Sequence, residues 1–192
     1  MLSEKQFRER AKSELRQIGC QVSSLATDRD VYWKLEREII QQNPQLHDAR
    51  SPVLDMIRAT YADGMTARVL GLLMNTEGSM SLPRTLAQLA DYPELLHDKI
   101  TERELAADRE ALVRAGSSLA QVVVPHVAHH ERTLSALAST NRELDAAIDV
   151  IIATVKTYYW IIADCYLDMD VTYSEDPLSI FAFSWALPAL AK

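Results

Sequence analysis

Glycine and proline are scarce in this chain, numbering 5 and 7 among 192 residues. Sandwiches and barrels need a turn signal roughly every 8–12 residues, so turn-dense all-β folds are excluded. Cysteine is scarcer still. Cys20 and Cys165 form no CxxC spacing, which excludes a zinc knuckle and a disulfide framework and predicts two buried free thiols. Basic residues are outnumbered 20 to 27, for a net charge of −7, so no general attraction to nucleic acid follows. No segment supplies the ~18 uncharged apolar residues of a membrane span. The best candidate, Ala146 to Ile162, is broken by Asp149 and Lys156. The opening MLSEKQFRERAKSEL is charged throughout and lacks the apolar stretch of a signal peptide. A cytoplasmic protein without membrane contact is the expectation.

What is present reads as one globular domain over residues 1–192, with 48% apolar and 24% charged residues. Acidity is uneven. Residues 1–132 hold 17 basic and 19 acidic side chains, whereas 133–192 hold 3 and 8. Any contact with a polyanion would therefore be local and belong to the first part.

The periodicity is helical almost everywhere. Ser3 and Gln6 have capping-box spacing, and Phe7, Ala11, Leu15 and Ile18 follow at helical steps. This helix is expected to fade near Ser23 and Ser24. A second would start at Asp28 or Asp30, carry Val31, Leu35, Ile39 and Ile40, and stop at Pro44. Ser51-Pro52 signals the next start, and Leu54, Ile57, Tyr61, Met65, Leu72 and Leu73 mark its apolar face. Arg68 lies on that stripe. It reads either as a snorkelling side chain that reaches solvent or a carboxylate, or as a cation lining an internal polar site.

Beyond the loop from Asn75 to Ser81, a short helix through Leu89 follows Ser81. Thr101 and Glu104 form a capping box for a helix with Leu105, Leu112 and Val113, weakened at Gly116-Ser117 and interrupted at Pro125. A third box, Thr140 and Glu143, opens the clearest helix, about Asn141 to Leu167, with Leu144, Ile148, Ile151, Ile152, Val155, Tyr159 and Ile162 as core. The end, LSIFAFSWALPAL, concentrates Leu178, Ile180, Phe181, Phe183, Trp185 and Leu187. It would pack back on the bundle or form a dimer contact. The fold class is an all-α bundle.

Chemistry is concentrated in one place. His126, His129 and His130 crowd into VVVPHVAHHERT, and in a helix His126 and His130 would share a face suited to a metal. Their companions are poor, because the one Glu-x-x-His pair, Glu94 and His97, is remote in sequence and would have to arrive from elsewhere. No GxSxG elbow and no Gly-rich phosphate loop is present. Acid–base chemistry near neutrality therefore belongs to His126 to His130.

The segment PHVAHHERTLSALASTNRELDAAIDVIIATVKTYYWII resembles the end of HEPN domains of the abortive-infection, AbiU-type branch. Val127-Ala128-His129 matches that family's "I-A-H" element, and Glu143 to Ile148 (ELDAAI) matches the helix after it. Upstream, Tyr61 to Asn75 and then Ser81-Leu82-Pro83-Arg84-Thr85-Leu86 are similar to its long helix, loop and next helix start. The resemblance covers about residues 50–163. It implies a HEPN-like four-helix core with additional N-terminal helices, a homodimer, and a role in prokaryotic antiviral defence or a toxin-type system. It also implies metal-independent endoribonuclease chemistry without a cofactor, with His129 as general acid or base towards RNA.

One element of the family's pattern is missing. Its ribonuclease motif sets an arginine before the histidine with four to six residues between them, and those positions relative to His129 are Val122, Val123 and Val124. Without that guanidinium the motif has no fixed cation for a developing phosphorane charge. Arg132, three residues after His129, is one replacement, and Arg68 or Arg114 from another helix is a second. Catalysis is thus expected to be weakened or lost. The alternatives are a bundle that binds nucleotide or a protein partner without catalysis, a metal site on His126 and His130, and a purely structural module.

Overall fold

The computed structural model describes residues 3–43, 52–74, 80–96, 99–129, 134–169, 171, 173 and 175–179, and the side chains of 124–129 and 134–137 are outside that description. It is an all-α bundle, with no strand among the described residues. In chain order α1 is Glu4–Lys34, running directly into a π-helical turn at Leu35–Ile40. Then come α2, Pro52–Leu73, α3, Leu82–Leu89, and a 3₁₀ turn at Pro93–Leu95. The long α4, Glu102–His129, and α5, Leu134–Ala163, complete it.

Helix α1 starts where the capping box predicts. The Ser3 N–H donates to Gln6 Oε1 at 3.0 Å and the Gln6 N–H to Ser3 Oγ at 3.4 Å. It does not fade at Ser23-Ser24, nor does a second helix begin at Asp28 or Asp30. Thr27 Oγ1 donates back to the Ser23 carbonyl at 3.0 Å, so local polar bonding is absorbed inside the helix. Both aspartates are spent sideways rather than as caps, Asp28 on Arg68 and Asp30 on Tyr173 and Lys34.

Three further expectations shift. The Thr101–Glu104 box forms, with the Thr101 N–H 2.8 Å from Glu104 Oε2. The Thr140–Glu143 box does not, because α5 begins earlier at Leu134 and buries both Thr140 and Asn141. Helix α4 runs unbroken through Gly116 and Pro125. At Gly116 a Cβ would sit 3.2 Å from Leu73 Cβ, so the glycine serves the close approach of α2 and α4. At Pro125 the absent N–H removes one bond from a helix of 28 residues. Neither thiol is buried. Cys20 lies on the face of α1 turned to α2, and Cys165 follows the end of α5.

The core forms around α5, which packs against α1, α2 and α4. Leu144, Ile148, Ile151 and Val155 are fully buried among Leu15, Ile18, Val22, Val69, Leu112 and Leu119. Ala138–Ala163 is long and apolar enough to cross a membrane by length and composition, yet half of its most apolar window is buried inside the protein. Its polar side turns to α1, where Asp149 meets Arg29 at 2.6 Å and Asp145 accepts from Trp33 Nε1 at 3.0 Å. Of the final apolar segment only Leu178 and Ser179 lie among the described residues, and Leu178 is buried.

Candidate functional site

Three antiparallel pairings put the ends of four helices together. Arg29 opposite Asp149 and Trp33 opposite Asp145 run α1 against α5. Ser24 opposite Arg68, Tyr32 opposite Tyr61 and Glu36 opposite Arg58 run α1 against α2. Helices α4 and α5 are joined by four residues and are therefore antiparallel neighbours. Tyr158 donates to Asp108 at 2.9 Å at one end of that pair, so the register brings Asn141 level with Pro125 at the other. The Gly116–Leu73 contact likewise sets Tyr61 level with Ala128. The backbone of His126 to His129 thus shares one end of the bundle with Tyr32, Glu36, Arg58, Tyr61 and Asn141.

Those five side chains form a buried polar cluster. Glu36 sits in the π turn, where the Gln41 N–H donates to the Glu36 carbonyl at 2.9 Å. Tyr32, Glu36 and Ile40 continue the inward stripe of Ile18, Val22 and Leu25 at helical steps and are buried, while Val31 and Leu35 are only half-buried beside α2. Arg58 grips Glu36 with two prongs, Nε to Oε1 at 2.6 Å and a terminal nitrogen to Oε2 at 3.0 Å. Tyr32 adds a hydroxyl donation to Glu36 Oε1 at 3.3 Å and accepts from Asn141 Nδ2 at 3.0 Å. Its ring stacks on Tyr61, with centroids 3.7 Å apart and planes 3° off parallel.

Electrostatics follow burial. Burial, then the Glu36 charge, pushes the Tyr32 hydroxyl up from 10.0 to about 12. Burial likewise raises Tyr61, whose hydroxyl finds no partner among the described residues, as is also true of Asn141 Oδ1. The hydrogen bonds that Arg58 donates to Glu36 raise Arg58 against its own desolvation, so that guanidinium is held charged and paired. Burial lifts the Asp145 carboxyl, opposed by the Trp33 N–H and the Arg29 charge.

Of the residues singled out in the sequence, His129 and His126 have described backbone in the last turns of α4, and their side chains lie outside the described residues. His130 and Arg132, and also His97, lie wholly outside them. Arg68 does what a snorkelling arginine does, reaching Asp28 and Ser24 rather than an internal site. Arg114 is exposed beside Glu110 at 4.0 Å and stands ~22 Å along α4 from His129. Among the described residues no three of His, Cys, Asp and Glu converge as metal ligands.

Sequence reasoning passed over Glu36, Arg58 and Asn141. Their signal was present: Glu36 lies one helical turn after Tyr32, and Arg58 one turn after Leu54 and three residues before Tyr61, each charge embedded in an apolar stripe. No family model, no curated protein and no solved structure matches the chain.

Proposed function

We propose that this chain is a HEPN-like helical module of a prokaryotic defence or toxin-type system. In this reading it is a cytoplasmic homodimer directed at RNA, and cleavage has been weakened or lost. The observation that carries the reading is the Glu36–Arg58 clamp at the end of the bundle where α4 delivers His126 to His129. A guanidinium tied by both prongs to a carboxylate brings no net charge to a phosphorane. The motif positions offer no substitute, since Val122 and Val123 are half-buried side chains of α4. The helical fold is compatible with a HEPN-like reading.

His129 in this account keeps a role in shape and RNA contact rather than in rate. The test is a titration of labelled single-stranded RNA with the full chain, following anisotropy for binding and gel mobility for cleavage. Binding that weakens as salt rises, with the RNA left intact, is the expected result. Absence of binding at low salt would remove RNA from the proposal.

A further inference from the structure

The cleft between α1 and α2 contains a pair of charges that the histidine end does not use. Asp28 and Ser24 of α1 meet the guanidinium of Arg68 on α2, Ser24 Oγ at 2.9 Å. This bridge separates two lobes of about 370 and 560 Å³, both bordered by Arg68. Clefts of this size between helices of a bundle are the usual setting for a small ligand. The smaller lobe is apolar, walled by Val31, Tyr32, Leu35, Ile57, Tyr61 and Met65. Each wall also has a gap: a Cβ built on Gly64 in the smaller lobe or Gly71 in the larger meets nothing within 4 Å.

The two charges are reachable, with side chains 41% and 47% exposed. Nor is the guanidinium saturated, since its Nε donates to no oxygen among the described residues. Charge balance then selects the ligand. A lone anion on Arg68 would leave Asp28 without its partner, and a lone cation on Asp28 would strand Arg68. A zwitterion exchanges one ion pair for two and leaves the cleft neutral. We propose that this cleft binds a free α-amino acid with a large apolar side chain. Its carboxylate lies on Arg68, its ammonium on Asp28, and its side chain in the lobe walled by the tyrosines. This assignment stands on the α1–α2 cleft and does not depend on the RNA reading.

Calorimetric titration of the full chain with L-phenylalanine and L-leucine tests it, with 3-phenylpropionate and phenethylamine as probes carrying one charge each. Saturable binding of an amino acid is expected, weaker by about tenfold or more for either single-charge probe. Arg68→Gln and Asp28→Asn should each weaken amino-acid binding by about the same factor. Gly64→Leu should abolish binding while keeping the helical circular-dichroism spectrum, because the site is open and leucine favours helix over glycine. No heat with either amino acid at millimolar concentration would overturn the proposal. So would undiminished binding in folded Gly64→Leu or Arg68→Gln, or 3-phenylpropionate binding as tightly as L-phenylalanine.

Discussion

Glu36 and Arg58, from the π turn after α1 and the first turns of α2, form a two-pronged ion pair with N–O distances of 2.6 and 3.0 Å. Their side chains are only 10% and 19% exposed, so the pair is largely withdrawn from water. Removing one partner of such a pair strands the other charge. Glu36→Leu should therefore cost about 2–4 kcal/mol, read from chemical denaturation. Glu36→Leu combined with Arg58→Met should recover a large part of that loss, since apolar replacements leave no buried charge. Additive losses in the double variant would show that the pair is not coupled.

Tyrosine ionisation gives the same end of the bundle a pH signature. Tyr32 is raised by burial, with the Glu36 charge adding, to about 12, and Tyr61 is raised further, chiefly by burial. At the other end Tyr158 is also raised, by burial and by its hydrogen bond to Asp108. A group raised in the folded state holds its proton more tightly there than in the unfolded chain. Its contribution is complete below the ordinary value of 10.0 and is lost as pH climbs towards the folded value. Stability should hold to about pH 10 and fall steeply above it. Tyrosinate absorbance should rise in two stages, the later stage together with loss of helix. A single early stage with all 7 tyrosines titrating while helix persists would contradict this.

Helix periodicity made the architecture legible and left the seams of the bundle obscure. The core stripes of α1 and α5 could be read directly, because Phe7, Ala11, Leu15 and Ile18, and Leu144, Ile148, Ile151 and Val155, repeat at helical steps and are all buried. Boundaries were misread where a local signal had a tertiary use: Asp28 and Thr140 look like caps, but one pairs with Arg68 and the other is buried inside α5. The cluster around Glu36 was hidden for a related reason. Glu36 falls one helical turn after Tyr32 on the inward stripe, but an apolar template skips a charged residue there and selects the neighbouring Leu35 instead. The histidines were conspicuous in composition, yet their partner depends on register between helices distant in sequence.

Burial separates two neighbouring isoleucines of α5. Ile151 is fully buried, whereas Ile152 is half-buried at the core's edge. Ile151→Asp places an unpaired carboxylate in the core and should cost several kcal/mol, enough to unfold the domain. Ile152→Asp should lower the melting temperature and leave a folded protein. Equal effects in thermal melts would mean that α5 is rotated from the orientation described.

Asp145 offers a quieter test of the α1–α5 seam. Burial raises its carboxyl, while the Trp33 N–H and Arg29 favour the ionised form. Asparagine retains an acceptor for Trp33 and removes the charge. Asp145→Asn should thus match or exceed wild-type stability at neutral pH, and its advantage should vanish as pH falls through the raised value, where the native carboxyl becomes neutral. A large destabilisation at neutral pH would show that the Arg29 attraction outweighs burial.

The central claim is that Arg58, at the histidine end, is already spent on Glu36. It is tested most directly by the rate of RNA cleavage in excess chelator, for wild type and His129→Ala side by side. The account predicts cleavage near background in both, with His129→Ala changing stability more than rate, and no further loss in Arg132→Ala. A fixed catalytic cation is typically worth a factor of about a hundred or more, so an intact site would be unmistakable. Robust chelator-resistant cleavage by the wild type, abolished by His129→Ala, would contradict the account.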